Sequence, residues 1–490
     1  MGHDDATLSI EGVVAEGLCV GCGACAATTD SPFTMKSTSQ GTYLPERSRP
    51  TSDAGEAAAA FACPFSGVGP NEDALAADRF GDLPHDAALG HYRRLRAGHV
   101  ATGEFRAAGT SGGMTSWFLS ELFERDCIDA VIHVRPRAED EDGQPLFRYD
   151  VSSSAATSSS WVKSRYHAVE MSEAIALLRQ QRGRYAFVGV PCFVKAIRLL
   201  AKGDPELRDR LVATIALVCG HLKSARYAEF AAWQMGIAPA DLSTFDFRTK
   251  VEGRPANLYA MTATGTNALR QRVQITRGAE DIRGSDWGIG LFKLSACDYC
   301  DDVVGETADL SMGDAWIAPY AAESKGTNLV ITRSALAESI IAGGEARGEV
   351  LAVDLSVDGA RATQTSGLRH RREGLAIRLA ARGQRGAFVP TKRVAPDPEG
   401  LHSPAGQRYL ARERVAQVSH EHYETARRSG DLDIFFREME EPLRAYYGSS
   451  TAQLSAWAIV HLERLLPNRL LTLISKLHTE RLDRRRRSVS

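Results

Sequence analysis

Short apolar runs separated by glycine and proline set the rhythm of the middle of the chain. Residues 185–190 (YAFVGV) and 211–218 (LVATIALV) are continuous apolar stretches, each followed by a helical pattern, over 193–201 and 225–235. Strands of that length alternating with helices predict a parallel sheet with helices on its faces. Upstream, residues 114–125 place Trp117, Phe118, Leu119, Leu122 and Phe123 on an amphipathic helix, and 128–134 (IDAVIHV) predicts a strand. Residues 328–332 predict another strand, after a less regular stretch. Before about residue 80 long periodic segments are scarce, so a small unit held by whatever its cysteines bind is expected there. Residues 139–143 read as an acidic turn and 152–160 as a Ser/Ala surface tract. Beyond about 350 the chain is rich in Arg, Ala and Glu and predicts helices, among them an amphipathic one over 454–477 broken by Pro467. Those helices are expected to pack on the core or to offer a face to a partner. The expected class is α/β: a small N-terminal unit (1–85), a core with a mainly parallel sheet (86–170 and 171–345), and a helical C-terminal extension (346–490).

The 490 residues suffice for about two to four folding units. A net charge of −2 gives no basic field, which argues against nucleic acid as a partner. No stretch of about 18 uncharged apolar residues predicts a membrane span, and the first residues lack the basic start of a secretory signal. A cytoplasmic protein is expected.

The nine cysteines sharpen this picture. Cys19, Cys22 and Cys25 form a C-x2-C-x2-C run, and Cys63 precedes Pro64. One loop can wrap three corners of a [4Fe–4S] cube, with a distant Cys-Pro supplying the fourth. Gly21 and Gly23 would leave room for backbone beside it. The competing reading is a zinc site, although zinc knuckles pair C-x2-C units rather than use a triplet. A second set depends on the fold. Cys192 and Cys219 each follow a predicted parallel strand, so both belong at the sheet edge where ligands bind. Cys297 and Cys300 could complete four thiolates for a second [4Fe–4S] cluster; the alternatives are zinc, or buried apolar cysteines at Cys192 and Cys219. Cys127 has no partner in sequence and reads as structural. All of these ligand candidates precede residue 350, so the extension is expected to be dispensable for cofactor binding.

Thr110, Ser111, Gly112 and Gly113 open the helix at 114. Free amides and the helix dipole make such a loop attractive to phosphate. It matches neither G-x-G-x-x-G nor a P-loop, so nicotinamide and ATP sites are not supported. A bound flavin would suit a chain with clusters, since flavins exchange one or two electrons. Bulk at Gly112 is expected to weaken flavin binding.

With these residues in hand, the chain resembles the coenzyme F-420 hydrogenase/dehydrogenase beta-subunit family, relatives of 7-hydroxymethyl chlorophyll a reductase. The matching pieces are CVGCGAC with Cys63-Pro64, GTSGGMTSWFL, KSRY (163–166), VGVPCFVKAI (188–197), VCGH (218–221), FDFRTK (245–250), CDYC (297–300) and ADLSMGDAW (308–316), in the family's order. The resemblance implies a ferredoxin-like N-terminal domain, a flavin-binding region over 86–170 and FAD. It places Cys19, Cys22, Cys25 and Cys63 on one cluster and Cys192, Cys219, Cys297 and Cys300 on the other. Ser111, Gly112 and Gly113 would lie against the flavin, with Lys163, Ser164 and Asp314 as further candidates; no catalytic residue is assigned. It also implies a redox partner, coenzyme F-420 or ferredoxin, or an organic substrate reduced with ferredoxin as donor. The alternative is an electron-transfer subunit with no substrate of its own, with the C-terminal block as its docking surface. His221 could tune a cluster or simply bond to backbone. Arg484 to Arg487 could meet an anionic surface or be solvated.

Overall fold

The architecture is taken from a computed structural model that describes residues 7–448, apart from 51, 139–140, 142–144 and 156–162. The expected acidic turn and Ser/Ala tract fall largely outside the described residues. The helix expected over 454–477 and the arginine tail fall wholly outside them.

An eight-stranded sheet is the spine of the molecule. Its strands are β1 (Arg94–Val100), β2 (Ala130–Pro136), β3 (Phe147–Ser152), β4 (Tyr185–Gly189), β5 (Leu211–Leu217), β6 (Leu310–Asp314), β7 (Asn328–Thr332) and β8 (Val350–Asp354). Their spatial order is β8-β1-β7-β6-β5-β4-β2-β3. The central block β2-β4-β5-β6 is parallel, and the strands outside it pair antiparallel. Five of the eight strands therefore run the same way. Every residue of β4 and of β7 is buried, which is why β4, and β7 between its polar end residues, read as apolar runs rather than as alternation.

Helix α1 (Met114–Glu124) and helix α3 (Ala335–Ala346) cover one face, joining Trp117, Phe118, Leu122, Ile340 and Ile341 to Val131, Ile215 and Val330 in one buried cluster. Between them in sequence, α2 (Pro191–Gly203) covers the opposite face through Phe193, Val194, Ile197 and Leu200. The stretch after 235, expected to be irregular, is a three-stranded antiparallel meander of Ile237–Thr249, Ala260–Asn267 and Arg272–Gly278. Register shifts interrupt the first of its ladders, and bulges of that kind break the period-2 pattern by which a strand is read. At the N-terminus, Phe33–Ser37 and Tyr43–Arg47 form a hairpin, and helix Asp53–Ala62 packs on α2.

The extension is helical and belongs to the core. Helices α4 (Thr365–Arg371), α5 (Glu373–Gln384), α6 (Pro404–Ser429) and α7 (Leu432–Glu438) follow β8. Ser403 caps α6 by accepting from the Gly406 N–H, Pro404 occupies its first position, and Gly430 ends it in the left-handed region. Leu375, Leu379, Val415, Tyr423, Phe435 and Met439 are buried in the same cluster as Phe193 and Phe230. The apolar faces of α5–α7 are thus used inside the molecule, the first of the two expected uses. Among the described residues no helix is long and apolar enough to cross a membrane.

Candidate functional site

Cys19, Cys22, Cys25 and Cys63 line one cavity of about 340 Å3, together with Pro64, Phe65 and Val20. The loop reaches this shape because Gly21 and Gly23 adopt φ of +70° and +82°. A Cβ on them would come within 2.6 Å of the Tyr43 carbonyl and 2.5 Å of Glu170 Oε2. The glycines therefore let the loop close against the hairpin and the chain before helix Ser172–Gln180. The Gly21 N–H donates to Cys19 Sγ at 3.3 Å. Cys63 caps the C-terminus of helix Asp53–Ala62. Burial, reinforced by the neighbouring Cys63, pushes the Cys19 thiol up to about 12 and raises Cys22 and Cys25 as well. Thiols so placed lose their protons to solvent readily only when a cation binds among them.

The second set is assembled by the sheet. Parallel β4 and β5 are neighbours; Cys192 lies in the first turn of α2 after β4, and Cys219 follows β5. The turn Ser295–Tyr299 brings Cys297 and Cys300 to them. All four line a cavity of about 260 Å3 with Asp302 and Arg371. Val20 and Phe65 line both this cavity and the first one, so the two cysteine sets share a wall. The Leu222 N–H donates to Cys297 Sγ at 3.3 Å. Burial pushes Cys300 up to about 11 and raises Cys192, Cys219 and Cys297, with Arg371 pulling the other way at Cys219, Cys297 and Cys300. Among the described residues no three His, Cys, Asp or Glu side chains converge on a single-ion position. Cys127 lines neither cavity; its thiol donates to the Arg125 carbonyl at 3.8 Å.

The glycine loop sits where α1 leaves the sheet. Thr110 and Ser164 share a hydroxyl hydrogen bond of 2.9 Å, which joins the loop to Lys163, itself 3.1 Å from Asp246. Ser111 Oγ donates to the Thr327 carbonyl at 3.2 Å. Asp314 is engaged by Arg248, with oxygen–nitrogen distances of 2.7 and 3.3 Å. Lys250 Nζ donates to the Ser111 carbonyl at 2.9 Å and to that of Arg106. Burial, with Arg106, Lys163 and Arg248 close by, pushes Lys250 down to about 8. Thr110, Arg248, Lys250 and Tyr259 line a cleft of about 240 Å3. Arg248 and Lys250 lie in FDFRTK, whose paired cations were the signal that could have marked them. His221 stands beside Trp287 (ring centroids 4.3 Å apart), and Trp287 beside Tyr166 (4.6 Å). These three rings link the Cys219 loop to the strand of chain that carries Lys163 and Ser164. Among the described residues His221 Nε2 is buried without a partner.

Gly112 also has a packing part. A Cβ there would lie 2.7 Å from Asn328 Oδ1 and 2.8 Å from the Gly98 carbonyl, so the residue is small because α1 closes onto β1 and β7. Gly112→Val is therefore expected to destabilise the fold by roughly 1–3 kcal/mol, read as a lower thermal midpoint with or without flavin. An unchanged midpoint with flavin alone lost would leave Gly112 with the expected flavin part only. Gly113, at φ +81°, would bring a Cβ within 2.5 Å of Phe105 backbone.

Family models match two consecutive segments. The coenzyme F420 hydrogenase/dehydrogenase beta-subunit N-terminal model covers residues 96–176, and the C-terminal model of the same subunit covers 182–357. Together they span more than half of the chain. The chain belongs to the coenzyme F420 hydrogenase/dehydrogenase beta-subunit family. This is a family of redox electron-transfer subunits. Its matched segments contain the glycine loop, Lys163, Ser164, Arg248, Lys250, Asp314 and the second cysteine set. The first cysteine set and everything after residue 357 lie outside them. No curated protein matches the chain. Among solved structures, a chain of the F420-reducing [NiFe] hydrogenase complex from Methanosarcina barkeri is 16% identical. That alignment covers 63% of this chain and 99% of the other, with a TM-score of 0.46.

Proposed function

We propose that the chain is an iron–sulfur flavoprotein oxidoreductase. Cys19, Cys22, Cys25 and Cys63 hold one [4Fe–4S] cluster, and Cys192, Cys219, Cys297 and Cys300 hold a second. FAD lies against Thr110, Ser111, Gly112, Gly113 and Ser164, with Lys163 and Asp314 beside it, and the partner is coenzyme F-420, or an organic substrate with ferredoxin as donor. The observation that carries this reading is the pair of four-cysteine cavities that share Val20 and Phe65 as a wall. Four cysteines around each cavity, one set built on a C-x2-C-x2-C run with a distant Cys-Pro, suit a cubane better than a zinc ion.

Bound clusters supply one-electron transfer, and bound flavin supplies the exchange between one and two electrons. The chain's own residues do the rest. The Gly21 and Leu222 N–H groups donate to the Cys19 and Cys297 sulfurs and so favour their thiolate forms. Val20 and Phe65 keep water out of the wall between the sets. Lys250 and Arg248 supply positive charge for a pyrophosphate beside the amides that open α1. The rings of Tyr166, Trp287 and His221 fill the space between that cleft and Cys219.

Anaerobic purification with iron, sulfide and flavin counted per chain tests the reading. About eight Fe are expected, four per cubane, with one flavin. About four Fe would leave one cysteine set without a cluster. The same preparation should have its flavin bleached rapidly by reduced coenzyme F-420 and slowly by NADH; the reverse order would sink the proposed partner.

A further inference from the structure

The family segments end at residue 357, and α4 lies beyond them. Its last residue, Arg371, is 3% exposed and lines the cavity of Cys192, Cys219, Cys297 and Cys300. One terminal nitrogen donates to the Cys297 carbonyl, and the other to the Gly220 carbonyl at 2.8 Å. Among the described residues Nε is buried with no acceptor. The carboxylate next to Cys297, Asp298, is already taken by Lys293 and Arg378. A guanidinium cannot shed its charge by losing a proton, and a buried charge is costly unless something compensates it. Arg371 shares this cavity with the four cysteines and with Asp302, and Cys219, Cys297 and Cys300 act on its charge.

We propose that Arg371 raises the reduction potential of the cluster held by the second cysteine set, and that the C-terminal block is thereby part of the redox centre. The proposal rests on reading those four cysteines as [4Fe–4S] ligands. Potentials of such clusters follow their net charge, the hydrogen bonds to their sulfurs and their exposure. Reduction adds a negative charge, so a fixed cation alongside favours the reduced state, and its removal moves the potential down. Arginine suits the place better than lysine. Its fork holds two carbonyls, one from each cysteine-bearing loop, while a third N–H and the charge stay available. Arg371 is a positioning residue as well, because those two bonds fix the Cys219 and Cys297 loops relative to each other.

Potentiometric titration of the full-length, anaerobically prepared protein, followed by low-temperature EPR, tests this. The second cluster's signal is the one missing from Cys219→Ala. Arg371→Gln keeps donors and drops the charge. It is expected to retain about eight Fe while the second cluster becomes at least tenfold harder to reduce, a shift of about 59 mV or more to the negative for one electron. The first cluster should not move, and Arg371→Lys should stay near the wild-type midpoint. Full iron in Arg371→Gln with an unmoved midpoint overturns the proposal. If that variant loses the second cluster, Arg371→Ala is read in its place: a midpoint about 59 mV or more to the negative supports the proposal, and an unmoved one overturns it. Wild-type protein without iron at the second set would overturn the ligand reading itself, before any variant is made.

Discussion

Removing everything after Leu355 is expected to cost the chain its solubility and its second cysteine site. From the sequence the cofactors are expected to survive this cut, with some loss of solubility, because every candidate ligand precedes residue 350. Packing argues for the larger effect. Leu375, Leu379, Val415, Tyr423, Phe435 and Met439 share one buried cluster with α2, which covers one face of the sheet. The Phe435 ring lies 4.9 Å from that of Phe230 and stacks on Phe292 at 5.8 Å. Burial of one large apolar side chain is worth about 1.5–3 kcal/mol. Loss of six partners is therefore of order 10 kcal/mol, comparable to the whole stability of a typical domain, about 5–15 kcal/mol. The polar ties point the same way: Ser419 Oγ accepts from the Phe292 N–H at 2.9 Å, Arg378 Nε donates to the Asp298 carbonyl at 2.9 Å, and Arg393 pairs with Glu306 at 2.7 Å. Soluble yield, gel filtration and iron content of the truncated chain check this. A monodisperse product holding about eight Fe would show that the extension is an accessory.

What the sequence made legible is what burial writes directly into composition. Strands β4 and β5 are buried on both faces, so they appear as apolar runs, and strand ends of a parallel pair share an edge. From those two facts the approach of Cys192 to Cys219 follows without coordinates. The meander was hidden because Pro239 and Asp241 stand inside a strand whose ladder is broken by register shifts. The pairing of β1 with β7 and β8 was hidden because it joins segments far apart in sequence. The extension's helices were legible, with packing on the core as one expected use, but its buried arginines were not. An arginine-rich helical block looks like surface, yet Arg371, Arg378, Arg382 and Arg412 are buried and donate to backbone carbonyls of Cys297, Asp298, Glu16 and Gly288. A guanidinium fork can strap loops together where a lysine could not, and composition does not distinguish that use from solvation. The cations of FDFRTK were visible, but only the fold shows that Lys250 reaches the Ser111 carbonyl.

Asp309→Ala is expected to be among the most destabilising single changes outside the cysteine sets. This aspartate lies in ADLSMGDAW, a motif read without a role for it. Its Oδ2 accepts from the Thr214 N–H at 2.8 Å, from Thr214 Oγ1 at 3.0 Å and from Arg198 at 2.7 Å, and its Oδ1 accepts from Arg79 at 3.0 Å. One carboxylate thus ties helix Glu72–Phe80, α2, β5 and the start of β6 together. The Asp309 and Arg198 side chains are only 3% and 6% exposed, so alanine would strand a buried guanidinium. Removing one partner of a buried pair costs about 3–5 kcal/mol. Burial alone would raise the Asp309 carboxyl, but Arg198 and Arg79 outweigh it and hold it below its ordinary value of 3.8. A carboxyl lowered in the folded state stabilises above its unfolded value, and that contribution is lost as pH falls through the folded one. Urea unfolding followed by circular dichroism should therefore show a large gap between wild type and Asp309→Ala at pH 7. The gap should narrow as the pH is taken below about 4, where the unfolded chain's carboxyl begins to be protonated, and be lost as the pH falls through the lower folded value. A gap under about 1 kcal/mol at pH 7 would mean that Arg198 finds another acceptor, its bond to the Thr307 carbonyl being the nearest at hand.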